Sequence, residues 1–598
     1  MNASPETRGT TEPVAAGMNE CSDSARPAPA LCRAAELYRR AILDQAPRAL
    51  SLMDREILSP TAGCCDRTYW AWKFVDFPGA RFQEAVCVLS FLYSTDLSVE
   101  PRHNGAGGPV PRPDSPFFHN PRLLEWIVLG LEYWTSIQYP DGSFDEAYPY
   151  ERSLAATAFT SFYVSEALHF LNADLEPSTR GRVIRSLRDA GEWLIRNDES
   201  HGFLSNHLAA AAAALQHIYC LTREERFRQR SESFVERILA HQSKEGWYEE
   251  YGGADPGYQT HGSFYLARIC QISSNQRLME SLRRSADFLA LFVHPDRSLG
   301  GEYASRNTQT YYPAAFEMLA PHSSSAAFIS ERMRPAVETG SAAGLRSVDA
   351  YNYFPFLNNL VFAYLACAAA ERSASEPVEP RGEEGLIWFP EAGLARVRRP
   401  RYDAYVGTSK GGVLKVFDRA RAAHAYSDCG YIGKLSNGRL FSSQNGQSRA
   451  KVSAGELTVE GAFSEFSKPI MKPARFVGFR LFSLTAGRSA GLARWLKNYL
   501  VRALIYKRKA LDIRFRRSIE FHDDRVIIRD EIAGPGGSRV ESVRRGEIFT
   551  TIHMGSSRYF IANELERTAW IEPAWDPELP PAQIAEGITL TRTLSFGS

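Results

Sequence analysis

Apolar residues follow two different periods in the two halves of this chain. From about Leu31 to Arg372 they recur at i, i+3 and i+4, as in Leu123, Trp126 and Ile127, which predicts helices almost throughout. Beyond the charged, proline-containing stretch 373–385 the period becomes two, as in 516–522 and 525–529. That alternation predicts antiparallel strands. Residues 1–30 are rich in Ala, Pro, Ser, Thr and Glu, and we predict a disordered tail there.

Within the helical half, a polar loop with glycine beside an aromatic or apolar residue occurs four times. The glycines are Gly142, Gly202, Gly246 and Gly300, at intervals of roughly 50 residues, which fits two helices and their loops. Helical hairpins repeated in this way stack around an axis and gather their loops at one end. The sequence therefore predicts an α+β multidomain protein: an α/α toroid over 31–372, a linker over 373–385 and an antiparallel β-sandwich over 386–598.

One helical pattern interrupts the strand-rich half, over residues 489–509. One apolar face of this helix is marked by Leu492, Trp495, Leu496 and Tyr499. The sequence from Arg488 to Arg517 contains ten basic residues and only one acidic residue. We predict an inserted basic helix that contacts an anionic membrane surface peripherally. The alternative interpretation is that its apolar face packs against the toroid or the sandwich.

The amino-acid composition is that of an ordinary globular protein and does not by itself indicate a function. Hydrophobic residues make up 44% of the chain, charged residues 23%, and the net charge is +1. This balance gives no reason to expect a nucleic-acid partner. Nine cysteines without metal-ligand spacing favour reduced thiols. The first residues do not resemble a secretory signal, and no apolar run reaches about 20 residues, so we expect a cytoplasmic location.

Polar side chains follow the predicted loops, where a toroid would bring them to one rim. Asn206-His207 opens a helix after the second loop, Asp255–His261 follows the third, and Glu302–Asn307 lies in the fourth. Each has a structural interpretation as well. Asn206 is a favoured residue type for a helix N-cap, and Tyr258 has the alternative of being a core tyrosine.

Taken together, these segments resemble a known family. The Asn-His pair at a helix start, the Asp255-Pro256-Gly257-Tyr258 segment and, in the β half, 424–428 (HAYSD) followed by 435–440 (LSNGRL) are similar to the heparinase II/III-like polysaccharide lyases. The resemblance implies an α/α toroid joined to a β-sandwich. It also implies cleavage of a uronic-acid-containing polysaccharide by β-elimination, in which the C5 proton is removed and the 4-oxygen expelled.

The resemblance assigns roles to individual residues. Asn206 would neutralise the substrate carboxylate with help from His207 or His424, and Tyr258 would act as base, acid or both. A tyrosine hydroxyl ionises near pH 10, so a cation is needed nearby, and Arg306 is the candidate. We expect further substrate contacts from loop residues: Trp247, Tyr251, Gln259, Glu302, Tyr303 and Asn307.

Two positions depart from the family pattern. Tyr426 stands where the family has the middle histidine of a His-x-His-x-Asp segment, and 441–444 (FSSQ) lacks the expected acidic residue. In the family these positions can hold a structural zinc, so we expect no metal and no cofactor in this chain. The expected partner is an acidic polysaccharide or oligosaccharide, with a role linked to polysaccharide synthesis or export.

Two other functions remain open from the sequence. A glycoside hydrolase on a similar toroid would use two carboxylates across the cleft, and the loops supply many: Asp141, Asp145, Glu146, Glu151, Glu249, Glu250 and Asp255. A non-catalytic polysaccharide-binding protein that serves an assembly or export system is the other alternative.

Overall fold

The structure of the protein is a computed structural model. It describes the following residues: 33–71, 74–98, 115–199, 202–250, 252–369, 377, 379, 384–444, 448–453, 455–466, 471–501, 509–546, 549–551, 559–561, 565, 570–572 and 578–596.

Two concentric rings of helices form the first half of the described chain. The inner ring contains α3 (Ala85–Ser94), α5 (Leu154–Leu171), α7 (Ser205–Thr222), α9 (Pro256–Ser273), α11 (Ala314–Leu319) and α13 (Ala350–Ala369). The outer ring contains α1 (Arg33–Leu52), α4 (Pro121–Ser136), α6 (Pro177–Arg196), α8 (Glu225–His241), α10 (Gln276–Ala290) and α12 (Ser324–Thr339). Each inner helix packs on the next, and α13 packs against α3 and so closes the ring. The predicted α/α toroid is confirmed.

Residue type decides which ring a helix joins. In α7 every residue of the alanine-rich run 208–215 is buried, because small side chains let helices approach closely on all sides. The outer helix α10 buries Leu278, Leu282 and Leu289 along one stripe, as an amphipathic helix does. Two short elements complete this half: α2 (Arg67–Trp70) and a 3₁₀ segment, Ala80–Glu84, which runs directly into α3.

Steric crowding explains why glycine recurs in these loops. Gly142 and Gly246 have φ of 96° and 101°, in the left-handed region that favours glycine. A Cβ atom on Gly142 would lie 2.1 Å from the carbonyl oxygen of Asp189 in α6, and one on Gly246 would lie 2.5 Å from that of Arg284 in α10. Gly63 was not among the predicted repeat glycines, but a Cβ atom on it would meet the Leu129 carbonyl oxygen of α4 in the same way. These glycines therefore seat each loop on an outer helix.

The second half is built from antiparallel strands. The bounds are β1 (Gly385–Phe389), β2 (Leu394–Arg398), β3 (Tyr402–Gly407), β4 (Val413–Asp418), β5 (Ala423–Asp428), β6 (Tyr431–Leu435), β7 (Leu440–Ser442), β8 (Arg449–Ser453), β9 (Glu456–Phe466), β10 (Lys509–Phe521), β11 (Arg525–Ala533), β12 (Val540–Arg545), β13 (Trp570–Glu572), β14 (Glu578–Leu579) and β15 (Ile588–Ser595). Strands β1 to β5 form one sheet in chain order. The other sheet has the order β13-β15-β11-β10-β9-β7-β6-β12-β14, with β8 on β9. The predicted antiparallel sandwich is confirmed.

Strands β2 to β5 of the five-stranded sheet are buried on both faces, whereas the edge strand β1 is only partly buried. Tyr405 and Phe417 belong to the same core as the toroid helices, whereas Val406 and Leu414 belong to the core between the two sheets. Burial on both faces explains why 413–417 is continuously apolar apart from Lys415. This sheet therefore joins the two domains.

The insertion between β9 and β10 differs from the single helix predicted over 489–509. It contains two helices, α14 (Pro473–Leu484) and α15 (Ala490–Val501), and β10 begins at Lys509. We did not predict α14, because its apolar residues do not follow one clear stripe. Residues 502–508, the predicted tail 1–30 and most of the predicted linker lie outside the described residues. The small helix α16 (Pro581–Glu586) precedes β15.

None of the helices in the described part of the chain has the length and hydropathy of a membrane span. The seven cysteines in the described part are free thiols, and six of them are buried: Cys64, Cys65, Cys87, Cys270, Cys367 and Cys429.

Candidate active-site cleft

The inner-ring loops enclose a cavity of about 500 Å³ at one end of the toroid. Asn206, His207 and Tyr258 all line it. These three residues begin successive inner helices, because each follows one of the glycine loops. The other polar or aromatic residues of the wall include Arg81, Glu146, Glu151, Phe159, Glu199, His261, Tyr312, Tyr351 and Asn352.

Two glycines of α9 allow these starts to come together. A Cβ atom on Gly262 would lie 3.3 Å from the Cα of Asn206, so α9 passes close to the first turn of α7. A Cβ atom on Gly257 would lie 2.6 Å from the carbonyl oxygen of Thr308. The fourth loop therefore lies directly against the start of α9, beside Tyr258.

Asn206 is held from behind by a buried glutamate. Its backbone N–H donates to Glu250 Oε1 at 2.7 Å, and its side-chain Nδ2 donates to Glu250 Oε2 at 2.6 Å. Burial raises the pKa of Glu250 to about 8, although Asn206 and Arg306 act in the opposite direction. Near neutral pH Glu250 is therefore mainly uncharged, and the second N–H of the Asn206 amide remains for a ligand in the cavity.

His207 forms a dyad with a second glutamate. Its Nδ1 lies 2.6 Å from Glu199 Oε2, and the Glu199 side chain is almost fully buried. A carboxylate on one ring nitrogen fixes the orientation of the imidazole and leaves Nε2 for proton exchange with a ligand. Glu199 was not among the site residues predicted from the sequence.

Tyr258 is positioned by the cap of its own helix. Asp255 is the N-cap of α9: its Oδ1 accepts from the Tyr258 N–H at 3.0 Å, and its Oδ2 accepts from the Arg306 N–H at 2.9 Å. The buried Arg306 guanidinium lies with its Cζ 5.0 Å from the centroid of the Tyr258 ring. One carboxylate thus fixes the backbone of both Tyr258 and Arg306.

His261 and Arg81 also line the cavity, although neither was predicted as a site residue from the sequence. His261 follows Tyr258 by almost one turn and stacks between Phe159 and Tyr312, at ring-centroid distances of 5.5 and 4.2 Å. Burial, with smaller contributions from Arg81 and His207, lowers the pKa of His261 well below its usual range. The imidazole is therefore neutral at physiological pH.

Arg81 brings a cation to the cavity from the 3₁₀ segment before α3. Its Nε donates to Glu84 at 2.7 Å, and its Nη1 lies 3.6 Å from Glu146. Its guanidinium carbon lies 4.3 Å from the centroid of the Phe159 ring. The Nη2 atom is buried and has no hydrogen-bond partner within the described part of the chain. No local motif marks Arg81, because its position depends on packing between distant helices.

Three other predicted contact residues lie away from the cavity wall. Gln259 follows Tyr258 in α9, so its side chain leaves the helix in a different direction. Its Nε2 donates to the Ser285 hydroxyl of the outer helix α10 at 2.7 Å. Trp247 donates its indole N–H to Glu245 at 3.0 Å. Asn307 is buried with φ of 63°. Tyr251 lies outside the described residues.

Glu302, Tyr303 and His424 lie at the junction between toroid and sandwich. Glu302 Oε2 is 3.2 Å from the Lys415 Nζ atom of β4, and Tyr303 OH is 2.9 Å from His294 Nε2. His424 Nε2 is 2.8 Å from the Ser427 hydroxyl. None of the three is among the residues that line the cavity in the described structure.

The sandwich segment that resembles a zinc-binding motif contains an arginine cluster instead. Asp428 is buried and accepts from Arg517 at 3.1 Å and from Arg592 at 3.2 Å. Asp530 shares both arginines, at 2.7 and 2.5 Å. Burial would raise the pKa of Asp428, but these guanidinium groups lower it below its usual range. Cations therefore surround the carboxylate, and the residues do not fit a zinc ion. In the described part of the chain, no group of three His, Cys, Asp or Glu side chains is arranged to hold a metal.

Comparison with known proteins agrees with this architecture. Residues 127–314, which include Asn206, His207, Tyr258 and Arg306, match the family model of the ulvan lyase N-terminal domain. Comparison with curated protein sequences gives no match.

Among solved structures, the chondroitin AC lyase of Streptomyces coelicolor A3, in complex with chondroitin sulphate, is 12% identical with a TM-score of 0.51. The match covers 95% of this chain and 80% of that one. A heparinase III is 9% identical with a TM-score of 0.46, and the match covers 96% of this chain and 85% of that one. Because the sequence identity is so low, the similarity to the chondroitin AC lyase structure supports a common fold and nothing more.

The predicted resemblance is therefore confirmed. Part of the toroid matches the ulvan lyase N-terminal domain, and the fold is like that of a chondroitin AC lyase, so this protein is similar to the polysaccharide lyases of the heparinase-like type.

Proposed function

We propose that this protein cleaves a uronic-acid-containing polysaccharide by β-elimination. The observation that carries the proposal is the convergence of Asn206, His207 and Tyr258 on one cavity. An amide donor, an imidazole and a phenol supply the three functions that elimination needs: neutralisation of the carboxylate, proton abstraction and proton donation.

The residues divide the reaction as follows. The C5 proton passes to the phenolate oxygen of Tyr258, and the Arg306 guanidinium lies beside the ring of that residue. The electron pair from the C5–H bond is delocalised into the uronate carboxyl group, which accepts a hydrogen bond from the Asn206 amide. As the C4–O bond breaks, a C4–C5 double bond forms, and the departing oxygen takes a proton from Tyr258 or from His207 Nε2.

Glu146, Glu151 and Glu199 line part of the cavity, but the groups beside Asn206 and the Arg81 cation favour an acidic group of the substrate on their side. Because Glu250 is mainly uncharged near pH 7, it does not repel a carboxylate that is bound at Asn206. Arg81 adds a cation to the cavity wall beside Phe159, where it would attract a carboxylate or sulfate of the polymer.

The test is incubation of the protein with a panel of acidic polysaccharides, followed by ultraviolet absorbance of the unsaturated uronate. The proposal requires that at least one polymer gives an absorbing product. Shortening of a polymer without that absorbance would exclude elimination, and saturable binding without turnover would favour a non-catalytic role.

A second candidate function is hydrolysis of a glycosidic bond, which three cavity carboxylates favour: Glu146, Glu151 and Glu199. Each of them has a local partner, however. Glu199 binds His207, Glu151 accepts the backbone N–H of Ala147 at 2.7 Å, and Glu146 accepts the Ser153 hydroxyl. New reducing ends without ultraviolet absorbance would identify this activity.

We also propose a cytoplasmic role beside machinery that synthesises or exports polysaccharide. The free, buried thiols of the described residues support it, because reduced cysteines are typical of that compartment. Fractionation of the source cells, with detection of this chain in the cytoplasmic or the membrane-associated fraction, tests the location.

A further inference from the structure

The two-helix insertion, α14 and α15, is fixed on the toroid by one side. Arg480 pairs with Asp76 at 3.0 Å, and the Phe479 ring packs edge-on against Tyr148 with centroids 5.0 Å apart. The Arg152 guanidinium donates to the backbone carbonyls of Gly487 and Arg488, at 3.3 and 2.8 Å. These contacts hold the hairpin in one orientation relative to the cleft.

Another side of the same hairpin presents apolar side chains to solvent. Fifteen large hydrophobic residues are exposed in the described part of the chain, and seven of them lie within 25 consecutive positions: Met471, Phe476, Val477, Leu481, Leu484, Leu492 and Trp495. Leu481 and Trp495 are each 60% exposed. Single exposed apolar residues are normal, but a cluster of this kind marks an interaction surface. The exposure of Leu492 and Trp495 also differs from the interpretation in which this helix buries its apolar face.

The segment that carries this apolar surface is rich in basic residues. Residues 466–511 contain eleven Lys and Arg and no Asp or Glu, although the net charge of the whole chain is +1. Four of these cations are described as exposed residues of the hairpin: Lys472, Arg475, Arg488 and Arg494. The partner of this surface must therefore combine negative charge with an apolar interior.

We propose that the α14–α15 hairpin docks on the surface of an anionic lipid bilayer, with its axis in the membrane plane. Its apolar side chains would enter the boundary between headgroups and acyl chains, and its cations would meet the anionic headgroups. A soluble polyanion would satisfy the cations but leave the apolar residues in water. The proposal stands apart from the chemistry of the cleft.

Docking in this way would bring the cleft close to the bilayer. A second cavity, of about 600 Å³, is lined by Ala490, Ala493 and Arg494 of α15. It shares Glu151, Leu154 and Glu199 with the candidate active-site cleft. A polymer that enters or leaves at the membrane would therefore reach the cleft along the hairpin.

Sedimentation of the full chain with lipid vesicles tests the proposal. We expect binding to vesicles of phosphatidylcholine with phosphatidylglycerol, little binding to phosphatidylcholine alone, and weaker binding at high salt. Leu481→Ser combined with Trp495→Ser should lower the partition coefficient roughly tenfold or more, because two apolar side chains no longer leave water. Lys472→Glu combined with Arg475→Glu should lower it through charge.

The matched control is Leu58→Ser combined with Leu565→Ser, which removes two exposed apolar side chains elsewhere (98% and 80% exposed) and should leave vesicle binding unchanged. Circular dichroism checks that each variant is folded. Absence of binding, or equal binding to neutral and anionic vesicles, overturns the proposal. Loss of binding in the charge variant alone would instead indicate a polyanion site.

Light scattering tests a different partner. If the wild-type chain is a dimer and Leu481→Ser/Trp495→Ser makes it a monomer, the surface binds a second copy of this chain and the membrane proposal is overturned.

Discussion

The residues at the cavity are positioned by buried acidic side chains, and two of these, Glu250 and Asp255, are not among the residues that line the cavity. Glu250 holds the Asn206 amide, Glu199 holds the His207 ring, and Asp255 holds the backbone of Tyr258. Fixed donors of this kind need little reorganisation when charge develops in a reaction. The same burial makes two of the three carboxylates, Glu250 and Asp255, harder to ionise.

Tyr258→Phe tests the proton-transfer role directly. We expect kcat to fall by roughly 10²–10⁴-fold with little change in KM, because the substitution removes the transferring hydroxyl and keeps the ring. Initial rates of unsaturated product formation measure the effect. The ring contact with Arg306 should be retained, so the thermal midpoint should change little.

Tyr351→Phe is the matched control, since Tyr351 also lines the cavity and donates its hydroxyl to the Glu146 carbonyl at 3.1 Å. We expect its kcat to stay within a few-fold of the wild type. Equal losses in the two variants would mean that the cavity needs its tyrosines for shape, and the assignment to Tyr258 would fail.

Glu250 should leave a signature in the pH dependence of stability. Its folded-state pKa is about 8, compared with an ordinary value of 4.5. Folding therefore favours the protonated form, and its contribution to stability is complete below pH 4.5 and is lost as pH rises to about 8. Glu250→Gln should flatten the decline in unfolding free energy over that window, by up to a few kcal/mol. Urea unfolding at a series of pH values measures this.

Asp145→Asn provides a comparison with a different window. Burial raises the pKa of Asp145 from 3.8 to about 6, although three hydrogen bonds act in the opposite direction. This variant should flatten the profile below about pH 6 and leave the interval from 6 to 8 unchanged. A Glu250→Gln profile with the wild-type slope between 6 and 8 would show that Glu250 is ionised in the folded protein.

At the scale of elements, the start of α9 joins stability to function. Asp255 caps this helix and also binds the N–H of Arg306 in the next loop. Asn275 caps the neighbouring outer helix α10 through the Leu278 N–H, at 3.1 Å. The two caps are alike as local motifs, but the first holds the backbone of the cavity residue Tyr258 and the second does not.

We expect Asp255→Ala to destabilise the protein by about 2–4 kcal/mol, because it removes a cap and leaves two N–H groups without their acceptor. It should also lower kcat at least about tenfold through displacement of Tyr258. Asn275→Ala should cost about 1 kcal/mol and leave kcat unchanged. Chemical denaturation and initial rates measure both. Unchanged activity in folded Asp255→Ala would separate the cap from the chemistry.

The elements show why part of the site was predictable from sequence. Asn206 and Tyr258 follow glycine loops at helix starts, so periodicity and loop position place them on one rim. Arg81 carries no such local signal, because it reaches the cavity through packing between helices distant in sequence. His261 lies in the same loop-following segment as Tyr258, 255–261, but nothing in that segment assigns it a role. The helix α14 was not predicted for a related reason. Some of its apolar residues face solvent and others face the toroid, so they do not recur at the spacing of a single apolar helix face.

On the scale of the whole molecule, a buried ion pair ties the sandwich to the toroid. Glu302 comes from the fourth toroid loop and Lys415 from β4, with side chains 3% and 4% exposed. Burial raises the pKa of Glu302, but Lys415 lowers it, and the net shift is downward. Lys410 adds hydrogen bonds to the carbonyls of Glu302 and Ala304, at 2.9 and 2.7 Å. Sequence patterns predicted both domains, but not this pairing, since its partners are 113 positions apart.

Lys415→Met should therefore destabilise the full chain by about 3–5 kcal/mol at neutral pH, because it leaves the Glu302 carboxylate buried without its cation. Lys434→Met is the control: it breaks an exposed pair with Glu541 inside the sandwich, with side chains 45% and 46% exposed, and should cost no more than about 1 kcal/mol. The loss in Lys415→Met should shrink at low pH, where Glu302 becomes protonated, and adding Glu302→Gln should recover part of it at neutral pH. Denaturant midpoints of the four proteins measure these differences. Equal effects of Lys415→Met and Lys434→Met would show that the junction is held by apolar packing between the five-stranded sheet and the toroid rather than by this pair.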